Sequence, residues 1–253
     1  MSGETHLPDL RVVQDSAALA AAAAKLFATA AARAVAVRNR FLVTLSGGST
    51  PQDLFSLLAR PPFATAIPWP AVHVYWGDER LVPPDDPGSN YYHARRLLLD
   101  KVPITADQVH RMKGELAAAE ATADYAHCLA RAAGPGRIWP RFDLALMGLG
   151  ADGHTASLFP GSPAVTEQEV PVVSVTASYE GRPAERLTLT PPVFNDAREI
   201  LFLVSGSAKA KALAAVLDGQ DGPQTWPAQA IRPRTGEVIW LVDESAARLL
   251  TGF

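Results

Sequence analysis

The stretch Phe142-Asp143-Leu144-Ala145-Leu146-Met147-Gly148-Leu149-Gly150-Ala151-Asp152-Gly153-His154 decides how this chain is read. Its first half is an apolar run of strand length. Its second half is a turn whose three glycines free the backbone to bend sharply. An acid and an imidazole stand two residues apart in that turn. In open α/β sheets the loops at the carboxyl ends of parallel strands bind ligands. Histidine takes up and returns a proton near neutral pH, which makes His154 the candidate acid–base group and Asp152 its candidate orienting partner.

The rest of the chain repeats the strand–turn–helix rhythm. Residue patterning predicts helices over 15–37, 51–59, 90–99, 116–132, 208–217 and 244–250. It predicts strands over 41–45, 72–76, 143–147, 170–176, 186–190, 200–204 and 238–242. Runs such as Leu201-Phe202-Leu203-Val204 are apolar without alternation, as buried parallel strands are. The expectation is an α/β fold with a mainly parallel sheet covered by helices on both faces, in one domain over 1–253. In the first helix Leu19, Leu26, Phe27, Ala30 and Val37 are expected on one buried face. Thr50 is expected to cap the second helix, with Pro51 in its first turn, and Ser89 to cap the third.

The net charge is −3, so no basic field draws nucleic acid or an anionic membrane surface. An anion must be held by local groups. Cys128 is the single cysteine, which excludes an internal disulfide and fits a small buried apolar role. Acidic residues precede the alanine-rich run 17–24, unlike a secretory leader, and no run reads as long and apolar enough to span a bilayer. A cytoplasmic location is the expectation.

Four turns at strand ends carry the unusual residues. Ser46-Gly47-Gly48-Ser49-Thr50 follows the strand 41–45 and opens a helix, where unpaired N–H groups and the helix dipole suit a phosphate. A tight turn with a good cap explains it equally well. The turn lacks a following Gly-Lys-Ser/Thr, so it is not a Walker loop. Gly77-Asp78-Glu79-Arg80 follows the strand 72–76. Gly148 to His154 follows the third strand, and Ser205-Gly206-Ser207-Ala208-Lys209 the strand 200–204. Lys209 opens a helix, where a cation opposes the macrodipole by about 0.3–1 kcal/mol; a bound phosphate reverses that sign. Arg186 offers a forked donor set, and a surface arginine beside Glu185 fits its spacing as well. His73, His93 and His127 need only core or surface roles, and His6 and His110 lack supporting context. No His-Glu-x-x-His or Cys/His cluster suggests zinc, and no Gly-x-Ser-x-Gly elbow suggests an acyl-enzyme.

Leu45 to Pro51, Trp76-Gly77-Asp78-Glu79-Arg80, Ser89-Asn90-Tyr91, Gly148 to Pro160 and Arg186-Leu187-Thr188-Leu189-Thr190 together resemble the 6-phosphogluconolactonase family. The resemblance implies a modified Rossmann-like three-layer sandwich shared with glucosamine-6-phosphate deaminase. It also implies hydrolysis of a sugar-phosphate lactone in the oxidative pentose phosphate pathway, with no metal or organic cofactor. His154 and Asp152 are the implied catalytic pair. Ser46, Gly47, Gly48, Ser49, Thr50, Asp78, Arg80, Arg186 and Lys209 are the implied substrate-binding residues. The deaminase is the nearest rival, but it lacks a counterpart of Arg80 and continues differently after its histidine. A non-catalytic sugar-phosphate sensor is a third reading. The partner implied is a small molecule, and the assembly a monomer or homodimer.

Overall fold

A computed structural model describes residues 9–179 and 181–251. The element order is β1 (Asp9–Val13), α1 (Ser16–Arg38), β2 (Phe41–Leu45), α2 (Ser49–Leu58), α3 (Phe63–Ala66), β3 (Val72–Trp76), β4 (Asp78–Arg80), α4 (Asn90–Leu97), β5 (Val109–His110) and α5 (Ala118–Ala132). Then follow β6 (Leu144–Gly148), β7 (Val172–Thr176), β8 (Glu185–Leu189), α6 (Pro191–Asn195), β9 (Glu199–Val204), α7 (Ala210–Asp218), β10 (Glu237–Asp243) and α8 (Glu244–Ala247).

Seven strands form a parallel sheet in the order β1-β10-β9-β6-β2-β3-β5. The chain moves one way from β2 to β3 and the other way from β9 to β10. Right-handed crossovers therefore send α1 and α2 to one face and α5 and α7 to the other. The packing of α1 on α2, and of α8 on α7, agrees. β2, β6 and β9 are buried along nearly their whole length, consistent with their unalternating apolar sequences. The fold is the expected α/β sandwich.

Two expected members of the parallel sheet lie elsewhere. β7 and β8 pair antiparallel with each other, and β8 pairs antiparallel with β4, forming a separate three-stranded sheet. Asp78-Glu79-Arg80, expected in a turn, is a strand of that sheet. One continuous hydrophobic cluster includes Leu187 and Leu189 from this sheet and Leu201 and Phe202 from the large one.

Helix α1 corrects two expectations. Val37 is exposed; Leu19, Phe27 and Ala30 are buried as expected, and Ala20, Ala23, Ala24, Ala31 and Ala34 complete the buried face. Alanines let the helix lie close to α2, β2 and β10. The same alanines raise its mean hydropathy to 1.4 over 18 residues, so this helix is long and apolar enough to cross a membrane by length and composition. That overturns the expectation that no run is; here its apolar face packs on the sheet. At α2 the cap is Gly48, not Thr50, which lies inside the helix. Cys128 is half-buried, its thiol 3.9 Å from Nδ1 of His110.

Candidate active site

The topology gathers the unusual turns. β9, β6, β2 and β3 are consecutive neighbours in the sheet, so the segments after their carboxyl ends share one rim. The chain leaves β2 toward β3 and later resumes at β6 on the other side of β2, which makes the β2/β6 boundary a switch point where a crevice opens. A cleft lies there, with about 740 Å³ of space continuous with solvent. Ser46, Gly47, Gly48, Ser49, Thr50, Asp78, Arg80, His154, Arg186 and Lys209 all line it.

His154 is held from three sides. Its Nδ1 lies 2.5 Å from Oδ1 of Asp152, which also accepts the backbone N–H of His154 at 3.2 Å. A proton on Nδ1 donated to that carboxylate leaves Nε2 as an acceptor. The ring stacks on Phe159 at 4.5 Å between centroids, and Tyr179 meets it nearly edge-on at the same distance. Burial opposes charge on Asp152, but its hydrogen bonds and attraction to His154 outweigh that and hold its carboxyl below the ordinary value. Asp152 stands behind the imidazole rather than lining the cleft. The turn closes through the N–H of Gly150, which donates to the carbonyl of His154 at 2.8 Å. A Cβ on Gly150 would lie 2.0 Å from Nδ1 of His154, so only glycine leaves room for the ring here.

Facing the imidazole is a wall of unsatisfied donors. Helix α2 begins without a side-chain cap, whereas Asp15, Ser89 and Asp243 cap α1, α4 and α8. Its first N–H groups and the positive end of its dipole meet the cleft. Lys209 ends the 3-10 turn that leads into α7, close to its expected place at the start of that helix. Arg186 is 2% exposed, which removes the surface-arginine reading. Its Nε and Nη2 have no hydrogen-bond partner among the described residues, and its guanidinium lies over the Phe159 ring at 5.3 Å. Across the β4–β8 pair Arg186 stands opposite Arg80. Burial, and then the charge of Arg80, hold the Arg186 pKa below its usual value. Two neighbouring cations with no carboxylate ion-paired to them among the described residues, and with unpartnered N–H groups on both (Nε of Arg80, Nε and Nη2 of Arg186), favour an anion between or beside them.

Asp78 is fixed rather than free. Ser157 Oγ donates to its Oδ2 at 2.7 Å, and Asn90 Nδ2 lies 3.3 Å from its Oδ1. Asn90 also packs under the glycine-rich turn, where a Cβ on Gly47 would fall 1.9 Å from its Oδ1. The first glycine of that turn is thus a demand of packing as well as of ligand approach.

A family model described as glucosamine-6-phosphate isomerases/6-phosphogluconolactonase matches residues 14–240. The chain belongs to this family. A relative in Synechocystis, a 6-phosphogluconolactonase, is 43% identical over 223 residues, 86% of this chain and 88% of that protein. Among solved structures, 6-phosphogluconolactonase from Trypanosoma brucei superposes with a TM-score of 0.85 at 29% identity, covering 96% of this chain and 99% of that one. A monomeric glucosamine-6-phosphate deaminase superposes with a TM-score of 0.80 at 20% identity, covering 96% and 100%, which shows a shared fold alone.

Sequence reading missed several residues of the cleft. Tyr179 and Arg182 reach it from the β7–β8 connection. Ser157 and Asn90 stand in the family motifs, yet their task of fixing Asp78 is visible only in three dimensions. Asp243, at the end of β10, accepts from Ser205 Oγ at 2.5 Å and from the N–H of Gly206, and so shapes the turn that carries Lys209. Of the remaining histidines, His73 and His110 meet each other at 3.3 Å away from the cleft, and His6 lies outside the described residues. No group of three metal-ligating side chains occurs among the described residues.

Proposed function

We propose that this protein hydrolyses 6-phospho-D-glucono-1,5-lactone to 6-phospho-D-gluconate, the second step of the oxidative pentose phosphate pathway. The observation that carries the reading is a carboxylate-oriented imidazole in one cleft with a set of unpaired cationic and N–H donors. A neutral ester at one end of a sugar and a phosphate at the other match those two halves.

In this scheme the phosphate rests on the Ser46–Thr50 turn with Lys209 and Arg186. That anchor holds the lactone carbonyl near His154 and lowers the entropic barrier. Nε2 of His154 takes a proton from water as its oxygen bonds to the carbonyl carbon. The carbonyl electrons move to its oxygen, and Arg80 is the cation assigned to that developing charge. When the intermediate collapses, the bond to the ring oxygen breaks and the imidazolium returns its proton to that oxygen. Asp152 keeps the imidazole oriented and stabilises its charged form. Asp78 is assigned to sugar hydroxyls. The activity is assigned to a single domain over 1–253, working in the cytoplasm as a monomer or homodimer.

Proton release from freshly made lactone, corrected for spontaneous opening, tests the reading against ammonia release from glucosamine 6-phosphate. Lactone turnover supports it. Ammonia release without lactone turnover moves the assignment to the deaminase, and binding of sugar phosphates without either reaction moves it to a sensor.

A further inference from the structure

Strand β4 presents its residues alternately to its two sides. Asp78 and Arg80 line the cleft, and Glu79 between them turns away, 2% exposed. Its carboxylate accepts four hydrogen bonds. Oε1 takes the N–H of Asn90 at 2.6 Å and of Arg80 at 2.8 Å, and Oε2 takes the N–H of Tyr91 at 2.8 Å and the hydroxyl of Ser89 at 3.0 Å. Asn90 and Tyr91 are the first two residues of α4, so the acid sits where that helix is positive.

The segment held by Glu79 is the one on which the cleft is built. Asn90 Nδ2 donates to the carbonyl of Asp78 at 2.9 Å, and the Asn90 amide fills the space beneath Gly47. The Gly88 carbonyl accepts from Arg80 Nη1 at 2.6 Å. Three parts of the substrate wall thus take their position from residues 88–91, and Glu79 is the residue of β4 whose carboxylate accepts the backbone N–H groups that open α4 in that segment.

We propose that Glu79 is a positioning residue for the lactonase reaction, its ionised carboxylate locking the 88–91 segment so that Arg80 and Asp78 stand at fixed places beside the reacting carbonyl. The carboxylate touches no substrate. Burial pushes its pKa up to about 7 against the opposing pull of its four hydrogen bonds. Retaining an acid there, where a neutral side chain would be less costly to bury, fits a positional duty.

The inference rests on the lactonase reading, so wild-type turnover of lactone is measured first; its absence sinks that reading, and the variants below are judged only against its presence. Glu79→Gln keeps the shape but puts an amide NH₂ against N–H donors. It should lower kcat by about 10²-fold, as for a misplacement of about 1 Å, with KM within about threefold and a cooperative thermal transition retained. Glu79→Asp, which keeps the charge, should recover part of the loss. Asn90→Ala should lower kcat as well, and the double variant should lose little more than the worse single variant, because both act through one chain of contacts. Wild-type kcat in Glu79→Gln, no recovery in Glu79→Asp, or fully additive losses would overturn the proposal. If Glu79→Gln fails to fold, Ser89→Ala decides: it removes one of the four donors, and kcat unchanged in that variant overturns the proposal.

Discussion

The two rims of the central sheet treat arginine in opposite ways. At the amino rim, Asp143 just before β6 takes Arg38 at 2.8 Å and Arg198 at 3.3 Å, and its second oxygen accepts the N–H of Leu42 at 2.9 Å. Nearby, Arg33 pairs with Glu199 at 2.5 Å, Arg137 with Asp196, and Arg141 with the Asp196 carbonyl at 2.9 Å. At the carboxyl rim, among the described residues, Arg186 has two N–H groups without acceptors and Arg80 has only a backbone carbonyl. Guanidinium groups at one end therefore close the structure, and at the other they leave charge uncompensated. An unpaired buried cation lowers stability, and a ligand anion can recover that loss on binding. The contrast separates the residues that close the fold from those assigned above to the substrate.

The strongest way to break this division is to remove the group assigned to proton transfer. His154→Ala should reduce kcat by about 10²–10⁴-fold while the melting transition stays cooperative. Unchanged kcat would show that the cleft works without its imidazole. Next in size, Lys209→Ala should raise KM by about ten- to a hundred-fold, the equivalent of one charge-assisted contact, with kcat nearly preserved because ground and transition states share that contact. A loss confined to kcat would move Lys209 from anchoring to chemistry.

The amino rim predicts the opposite kind of result. Asp143→Ala strands two arginines and the buried N–H of Leu42, so it should destabilise by about 1–3 kcal/mol in denaturant titrations, with kcat and KM unchanged in the folded fraction. Arg186→Met, at the other rim, should leave stability equal or higher, since a similar apolar chain replaces a buried unpaired charge, yet raise KM. If Arg186→Met costs as much stability as Asp143→Ala, the contrast between the rims is wrong.

How much of this was legible in the sequence follows from what each signal depends on. The strands β2, β6 and β9 and the turns after them could be read because a buried parallel strand has a local signature and a glycine-rich turn follows it. The second sheet was misread, although its signals were present. Arg186-Leu187-Thr188-Leu189 alternates polar and apolar, the mark of a half-buried antiparallel strand, and only residues 177–184 join β7 to β8. A parallel crossover needs a dozen or more. With that correction β4 becomes a strand and Arg80 the neighbour of Arg186. The ties of Asn90 to Gly47, and of Asp243 to Gly206, join residues tens of positions apart, and no local pattern encodes them. Val37 falls outside the packed face of α1 because alanines extend that face between Leu19 and Phe27 and on to Ala34, so large side chains alone do not mark its course.

Glu79 offers the finest test of the comparison, since it is an acid buried beneath that rim without a paired cation among the described residues. Its pKa rises from the ordinary carboxyl range to about 7 on folding, chiefly through burial. The sign follows from linkage: a group whose pKa is raised in the folded state lends stability below its unfolded pKa and loses it as pH climbs through the folded value. The folded protein should therefore lose about 1 kcal/mol from this residue alone between about pH 6 and about pH 8. Over the same interval the ionised form that holds residues 88–91 becomes dominant. Stability and positional order are thus expected to run in opposite directions with pH. Comparing the wild type with Glu79→Gln in urea at both pH values isolates the contribution, because every other titrating group is common to the two proteins. The stability gap should shift in favour of Glu79→Gln at the higher pH; a gap that is the same at both would mean that this carboxyl is already ionised throughout, stabilised by its four donors more than burial opposes it.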